Sequence, residues 1–211
     1  MTKHILIMED DALTRTAIAS ALSAQGYKVI AEASNVAQAI RSISNNQIDV
    51  AVLDLDVGLG PTGLDLADLL VRRLPQMGIV ILTSSVDPRL VRASLPEIPA
   101  SAVYVIKQDI TDMNSLIAAI ELASEKALTG RTNGSSKFLD QVPLTDVQME
   151  TLRLVAQGLT NSEIAKQRFV TEKAVEYTIN KIAAALEIQP TSNANQRVHI
   201  ARMYFRLRGQ S

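Results

Sequence analysis

The chain of 211 residues has no cysteine and only two histidines, and no apolar run approaches the roughly eighteen residues that a membrane span requires. Without cysteine there are no disulfides, no thiolate metal sites and no cysteine nucleophile, which fits a reducing cytoplasm. His4 and His199 stand apart in the sequence, so neither is assigned a catalytic or metal-binding role. The stretch from Met1 to Met8 is too short and too soon acidic to read as a signal peptide. A cytoplasmic protein without a membrane partner is expected. Net charge is also scarce, at −1, but it conceals an asymmetry. Residues 1–128 hold ten Lys/Arg against fifteen Asp/Glu, a balance of −5, whereas residues 129–211 hold eleven against seven, a balance of +4. Halves of opposite sign face different partners, and a basic half invites a polyanion.

What is present is a series of short apolar runs that end in chemistry. HILIM at residues 4–8 stops at Glu9, Asp10 and Asp11; IDVAVLD at 48–54 ends in Asp54; Ile79–Leu82 ends at Thr83; Ala102–Ile106 ends at Lys107. Runs of this length rich in Val, Ile and Leu read as strands buried on both faces of a parallel sheet. With a further short strand at Lys28–Ala31, five strands are expected. Between them lie helical spacings at Leu13–Leu22, Val36–Ile43, Thr62–Leu74, a proline-punctuated helix near Asp87–Leu95, and Asp112–Leu128. The pattern predicts an α/β domain over 1–128, flavodoxin-like, with a parallel five-stranded sheet covered on both faces. TGRTNGSSKFLDQ, residues 129–141, loses the periodicity and reads as a linker. From 142 onward the chain reads as an all-α domain of four short helices, with Thr145/Gln148, Thr160/Glu163 and Asn193/Gln196 spaced as capping boxes and Thr171 as a further cap.

In such a fold Glu9, Asp10, Asp54, Thr83 and Lys107 meet at one sheet edge. Carboxylates crowded there would repel each other or take up protons unless a cation intervened. Mg²⁺ suits them, since it takes oxygen ligands and is usually held by one or two carboxylates plus a phosphate. A hard-oxygen site beside a lysine and a hydroxyl is equipped for phosphoryl transfer, with Asp54 as nucleophile and Thr83 and Lys107 contacting phosphoryl oxygens.

Residues 3–127 resemble the receiver domain of two-component response regulators, on the pair Glu9 and Asp10, the acceptor in VLDLD at Asp54, the hydroxyl in ILTSS at Thr83, and YVIK with Tyr104 and Lys107. The resemblance implies transfer of a phosphoryl group from a phosphohistidine on a partner sensor histidine kinase to Asp54. It implies Mg²⁺ held by Asp10, Asp54 and the backbone carbonyl of Asp56, with Glu9 reaching it directly or through water. It makes Thr83 and Tyr104 the pair that reports the phosphorylated state. The sequence departs from the family at Gly58, where a proline is common, at Gln108 after Lys107, and in RASLPEIPASAVY, which has two prolines and lacks the usual glycine. Those departures bear on how the signal leaves the domain.

Residues 144–205 resemble the helix-turn-helix output domain of the NarL/FixJ/LuxR type, on LTDVQMETLRLVAQGLTNSEIA, VTEKAVEYTINKIAAAL and NQRV. Val175, Ile179, Ile182 and Leu186 would bury one face of the recognition helix and leave Lys173, Glu176, Tyr177, Asn180 and Lys181 toward the major groove of double-stranded DNA. Thr160, Lys166, Arg168, Thr171 and Arg197 would be backbone-positioning contacts. The last helix, 193–208, places Ala194, Val198, Ala201 and Phe205 on a stripe that serves either a homodimer contact or simple packing.

The expectation is a transcriptional regulator, not an enzyme, in which Mg²⁺-dependent phosphorylation of Asp54 governs dimerisation and DNA binding. Two rival readings are a regulator that binds DNA irrespective of phosphate and a signalling adaptor whose helical half grips a protein. The second is discriminated by salt, because counterion release makes DNA affinity fall steeply as salt rises.

Overall fold

The computed structural model describes residues 2–92, 94–130, 142–188 and 195–209. They form two compact units, one made of Met1–Thr83 with Leu95–Phe138, the other of Ser84–Ser94 with Leu139–Ser211. Most of the expected linker lies outside the described residues, as do Asn193 and Ala194.

The first unit runs β1 (His4–Met8), α1 (Ala12–Ala24), β2 (Lys28–Ala33), α2 (Val36–Asn45), β3 (Val50–Asp54), α3 (Gly63–Arg73), β4 (Gly78–Thr83), β5 (Val103–Ile106) and α4 (Met113–Thr129). The strands pair in parallel in the order β2-β1-β3-β4-β5. Every residue of β3 and β4 is buried, as continuous apolar runs in the middle of a doubly covered sheet must be. On one face Ile5, Ile7, Val50, Val52, Val80 and Leu82 pack with Leu22 of α1 and Leu116 and Ile120 of α4. The other face is covered by α2 and α3, where Leu64, Leu66, Ala67 and Leu70 are buried. Each fully buried Val, Leu or Ile contributes about 1.5–3 kcal/mol, against roughly 0–1 kcal/mol for an exposed pair such as Arg72–Asp68 on α3. Sheet burial therefore fixes this unit. Asp11, Asn35, Thr62 and Asp112 each accept a backbone N–H at the start of a helix, and Gly130 closes α4 in the left-handed conformation.

One expectation is corrected. No α-helix separates β4 from β5 among the described residues; Pro88–Leu90 is a single 3-10 turn capped by Asp87. Pro96 and Pro99 disfavour helix at the residues before them and remove two donors, and Leu90 is buried in the other unit's core. The first unit thus has four α-helices among the described residues. Within α1, Leu13 is 80% exposed, and the sheet is met later in the helix, by Ala19 and Leu22.

The second unit contains α5 (Asp146–Ala156), α6 (Asn161–Arg168), α7 (Glu172–Ala185) and α8 (Gln196–Leu207). Thr145 and Thr160 form the expected capping boxes, and Thr171 caps α7. α8 is capped by Asn195, with Gln196 as its first residue; Asn193 of the box expected at 193/196 lies outside the described residues. No helix among the described residues is long and apolar enough to cross a membrane.

Gly78 opens β4 directly beneath α4: a Cβ there would lie 2.9 Å from the Ala123 carbonyl carbon and 2.9 Å from the Ser124 nitrogen, both backbone. Gly78→Ala is expected to destabilise the protein by about 1–3 kcal/mol, the usual range for overpacking. The check is a lower denaturant midpoint with an unchanged slope.

Candidate functional site

The sheet order reverses between β1 and β3, and at such a switch point the crevice lies outside the carboxyl ends of the strands. Strand register brings those ends level: Met8 pairs with Leu53, Asp54 with Leu82, and Thr83 with Ile106. The residues that follow converge. Carboxylate oxygens of Glu9, Asp10 and Asp54 all lie within 4.8 Å of one another, with Glu9 and Asp54 buried and Asp10 exposed. The Lys107 Nζ donates to Glu9 Oε2 at 2.6 Å and to Asp54 Oδ2 at 3.1 Å. The Asp56 N–H donates to Asp54 Oδ1 at 3.3 Å.

Burial pushes the Asp54 carboxyl up to about 7; Lys107 opposes that rise, and the neighbouring Glu9 charge adds to it. Burial works against the Lys107 ammonium, yet Asp54 and Glu9 together hold it above the ordinary lysine value. Three carboxylates and one ammonium carry two negative charges in excess, which one lysine cannot offset in a desolvated cluster. Hard oxygen donors with that residual charge fit a divalent cation. Among the described residues this trio is the one group of acids placed closely enough to hold a metal.

Thr83 is buried at the last position of β4, and Tyr104 is buried on β5 opposite Ile81. Since side chains alternate along a strand, Thr83, Ile81 and Tyr104 share one face of the sheet. The structure thus unites Glu9, Asp10, Asp54 and Lys107 by contact, and sets Thr83 and Tyr104 side by side on adjoining strands.

Two residues with no sequence signal support this pocket. Arg15, in the first turn of α1, donates to the Glu9 carbonyl at 2.6 Å and the Asp10 carbonyl at 3.3 Å, fixing the backbone that carries both acids. Gly63 opens α3 against the end of β3: its N–H donates to the Leu55 carbonyl at 3.1 Å, and a Cβ would sit 2.1 Å from the Asp54 carbonyl oxygen. Only glycine permits that approach. A glycine at the first position of a helix is the trace the sequence offers.

In the helical unit Val175, Ile179, Ile182 and Ala183 turn inward, while Lys173, Glu176, Tyr177, Asn180 and Lys181 are all exposed. Their spacing of three and four residues places them on one face of α7. Lys181 Nζ lies 5.4 Å from the Tyr177 ring centroid, a cation–π contact that presents the two as one patch. Lys166, Thr160 and Thr171 are exposed. Arg168 is not available as a backbone contact: it donates to Thr151 Oγ1 at 2.7 Å and pairs with Glu150 at 3.2 Å, its side chain 12% exposed. Arg197 donates to Asn161 Oδ1 at 2.7 Å and to the Leu159 carbonyl. On α8 the buried residues are Ile200 and Tyr204, while Val198 and Phe205 are left 48% and 41% exposed.

Comparison with known proteins agrees with this geometry. Residues 5–121 match the family described as response regulator receiver domain, and residues 142–204 match that described as bacterial regulatory proteins, luxR family. The transcriptional regulatory protein LiaR of Bacillus subtilis is 29% identical over 93% of this chain and 96% of its own length. The DNA-binding transcriptional activator DevR/DosR of Mycobacterium tuberculosis is 28% identical over 90% and 91%. Among solved structures, RcsB in complex with DNA superposes with a TM-score of 0.55 at 19% identity over 98% of this chain and 99% of that one, a likeness of fold.

The raised Asp54 value sets a pH dependence for the metal-free protein. Between the ordinary 3.8 and about 7 the folded state binds a proton that the unfolded state does not, so the cost of the buried charge is full above pH 7 and relieved as pH falls toward 4. Asp54→Asn is expected to raise the melting temperature of chelator-treated protein at pH 8, with a gain that shrinks through pH 7 and disappears near pH 4. A gain independent of pH would show that Asp54 is not destabilised by its charge.

Proposed function

The chain belongs to the response regulators that join a receiver domain to a LuxR-family helix-turn-helix domain, and from that membership we propose how its two sites work together. A partner sensor histidine kinase presents a phosphohistidine to the acidic pocket in the cytoplasm. An Asp54 carboxylate oxygen attacks the phosphorus, the phosphorus–nitrogen bond breaks, and the imidazole leaves with its electron pair, so that Asp54 carries an acyl phosphate. The observation that carries this reading is the Lys107 ammonium seated between the Asp54 and Glu9 carboxylates.

Each side chain has a role that follows from its place. Asp54 must be ionised to attack, and desolvation makes its carboxylate the more basic and the better nucleophile. Lys107 keeps that charge tolerable beforehand and then pairs with a phosphoryl oxygen. Thr83, at the end of the adjacent strand, donates its hydroxyl to another, and Tyr104 on the same face responds to its displacement. Mg²⁺, held by Glu9, Asp10, Asp54 and the Asp56 carbonyl, supplies charge neutralisation for the incoming phosphoryl oxygens when bound. Arg15 and Gly63 hold the backbones on which these groups stand.

Phosphorylation then favours a homodimer whose α7 helices read duplex DNA in the major groove. Lys173 and Lys181 reach phosphate or guanine, Asn180 pairs with adenine, and Tyr177 and Glu176 shape the remaining contacts. Lys166, Thr160, Thr171 and, once freed from Asn161, Arg197 contact the backbone. That DevR/DosR is a DNA-binding transcriptional activator, and that RcsB forms a complex with DNA, supports DNA as the ligand. The half-exposed Val198 and Phe205 of α8 favour a subunit contact there.

Acetyl phosphate with Mg²⁺ is expected to add one phosphoryl group to the native protein and none to Asp54→Asn, read by intact-protein mass. On a mixed-sequence duplex, Lys173→Ala and Lys181→Ala are each expected to weaken binding and lower the salt slope by about 1. Unmodified Asp54 sinks the phosphoacceptor assignment; unchanged slopes in both variants remove α7 from the DNA contact.

A further inference from the structure

The stretch Ser84–Ser94 follows the last residue of β4 without a break, yet it belongs to the helical unit. Leu90 is fully buried there, in a core with Val142, Leu144, Leu152 and Ile200. Three sets of polar bonds pin the same stretch. The Val86 N–H donates to the Leu207 carbonyl at 3.0 Å, and the Tyr204 hydroxyl donates to the Leu90 carbonyl at 3.0 Å, both at the end of α8. Arg89 Nη1 donates to the Leu144 carbonyl and to Asp146 Oδ1, each at 3.0 Å, at the start of α5. The rest of its guanidinium is held by Asp87, with Nη2 2.7 Å from Oδ2, and the Asp87 side chain is fully buried.

A buried carboxylate is tolerated only while its partner stays in place, so Asp87 and Arg89 move together or not at all. Leu90 adds an apolar anchor whose withdrawal would leave a cavity in the helical core. The residues that Arg89 grips, Leu144 and Asp146, bracket Thr145, the cap of α5. α5 in turn packs on both α7 and α8. Only Ser84 and Ser85 separate Thr83 from the pinned Val86, a reach of about 10 Å even when fully extended, and Ser85 is itself buried. There is little slack to absorb a displacement of Thr83.

We propose that Ser84–Ser94 is a detached piece of the helical unit's core, through which the phosphorylation state of Asp54 regulates the helices that carry the DNA-reading face. The inference rests on the assignment of Asp54 as phosphoacceptor and Thr83 as the hydroxyl that meets the phosphoryl group. Transmission is covalent: Thr83 shifts, Ser84 follows, and the Asp87–Arg89 pair with Leu90 carries the shift to the start of α5 and the end of α8. The face of Lys173 to Lys181 stays exposed with the segment seated, so the segment acts on the support of that face and not by covering it.

The test is hydrogen–deuterium exchange on the full-length protein, with and without beryllofluoride and Mg²⁺, for the native chain, Arg89→Lys and Leu90→Ala. In the native chain beryllofluoride is expected to change exchange in peptides of β3 and β4 and also, several-fold, in peptides of α5 and α8. Arg89→Lys keeps a charge but loses the planar fork, and it should keep the first response and lose most of the second; Leu90→Ala should do the same. A native response confined to β3 and β4, or full transmission in both variants, overturns the inference while leaving the phosphoacceptor assignment standing. No response at β3 and β4 either overturns that assignment, and the inference with it. Should Leu90→Ala fail to fold, Arg89→Lys alone decides.

Discussion

The Lys107 ammonium bridging Glu9 and Asp54 is the interaction on which the α/β unit's function turns. It joins residues 98 and 53 positions apart in the chain, so it can form only when β1, β3 and β5 have met in register. Its energetics are deliberately unfinished. One ammonium against three carboxylates leaves an excess of negative charge that burial makes costly, the kind of excess a divalent cation would offset.

Around that excess the backbone is rigid where it needs to be. β3 is buried along its whole length, Gly63 seats the first turn of α3 on the Asp54 carbonyl, and Arg15 clasps the two carbonyls of the acid pair. In the helical unit the same division holds. Val175, Ile179 and Ile182 lock α7 to the core, and the polar residues between them are left to solvent. In both units the polar groups of the candidate sites are carried on or beside well-packed elements, which is what holds a site's geometry.

The sequence made most of this legible because the strongest signals were local. Buried strands announce themselves by unbroken Val/Ile/Leu runs, and the chemistry-bearing residue sits at the end of each run. The α7 face could be read from a four-residue rhythm. The misreadings share one cause, which is that the deciding contact lies far away in sequence. Asp87–Leu95 has enough apolar residues to suggest a helix, but Leu90 answers to residues beyond 140. Arg168 reads as a surface cation until Glu150 and Thr151 claim it. Gly63 falls inside the expected helix from Thr62, where nothing in the spacing says that the Asp54 carbonyl oxygen lies 2.1 Å from where its Cβ would be.

A domain assembled from two separate stretches has a history during synthesis. Leu90 leaves the ribosome roughly a hundred residues before Ile200 and Tyr204, so at about 5–20 residues per second it waits several seconds or more for its neighbours. Through that interval the sheet can close around β4 and β5 with an unsatisfied apolar side chain between them, which gives chaperones a defined segment to shield. The arrangement also makes the two halves poor modules for recombination: a cut at the linker would carry away the helices and leave one of their core residues behind.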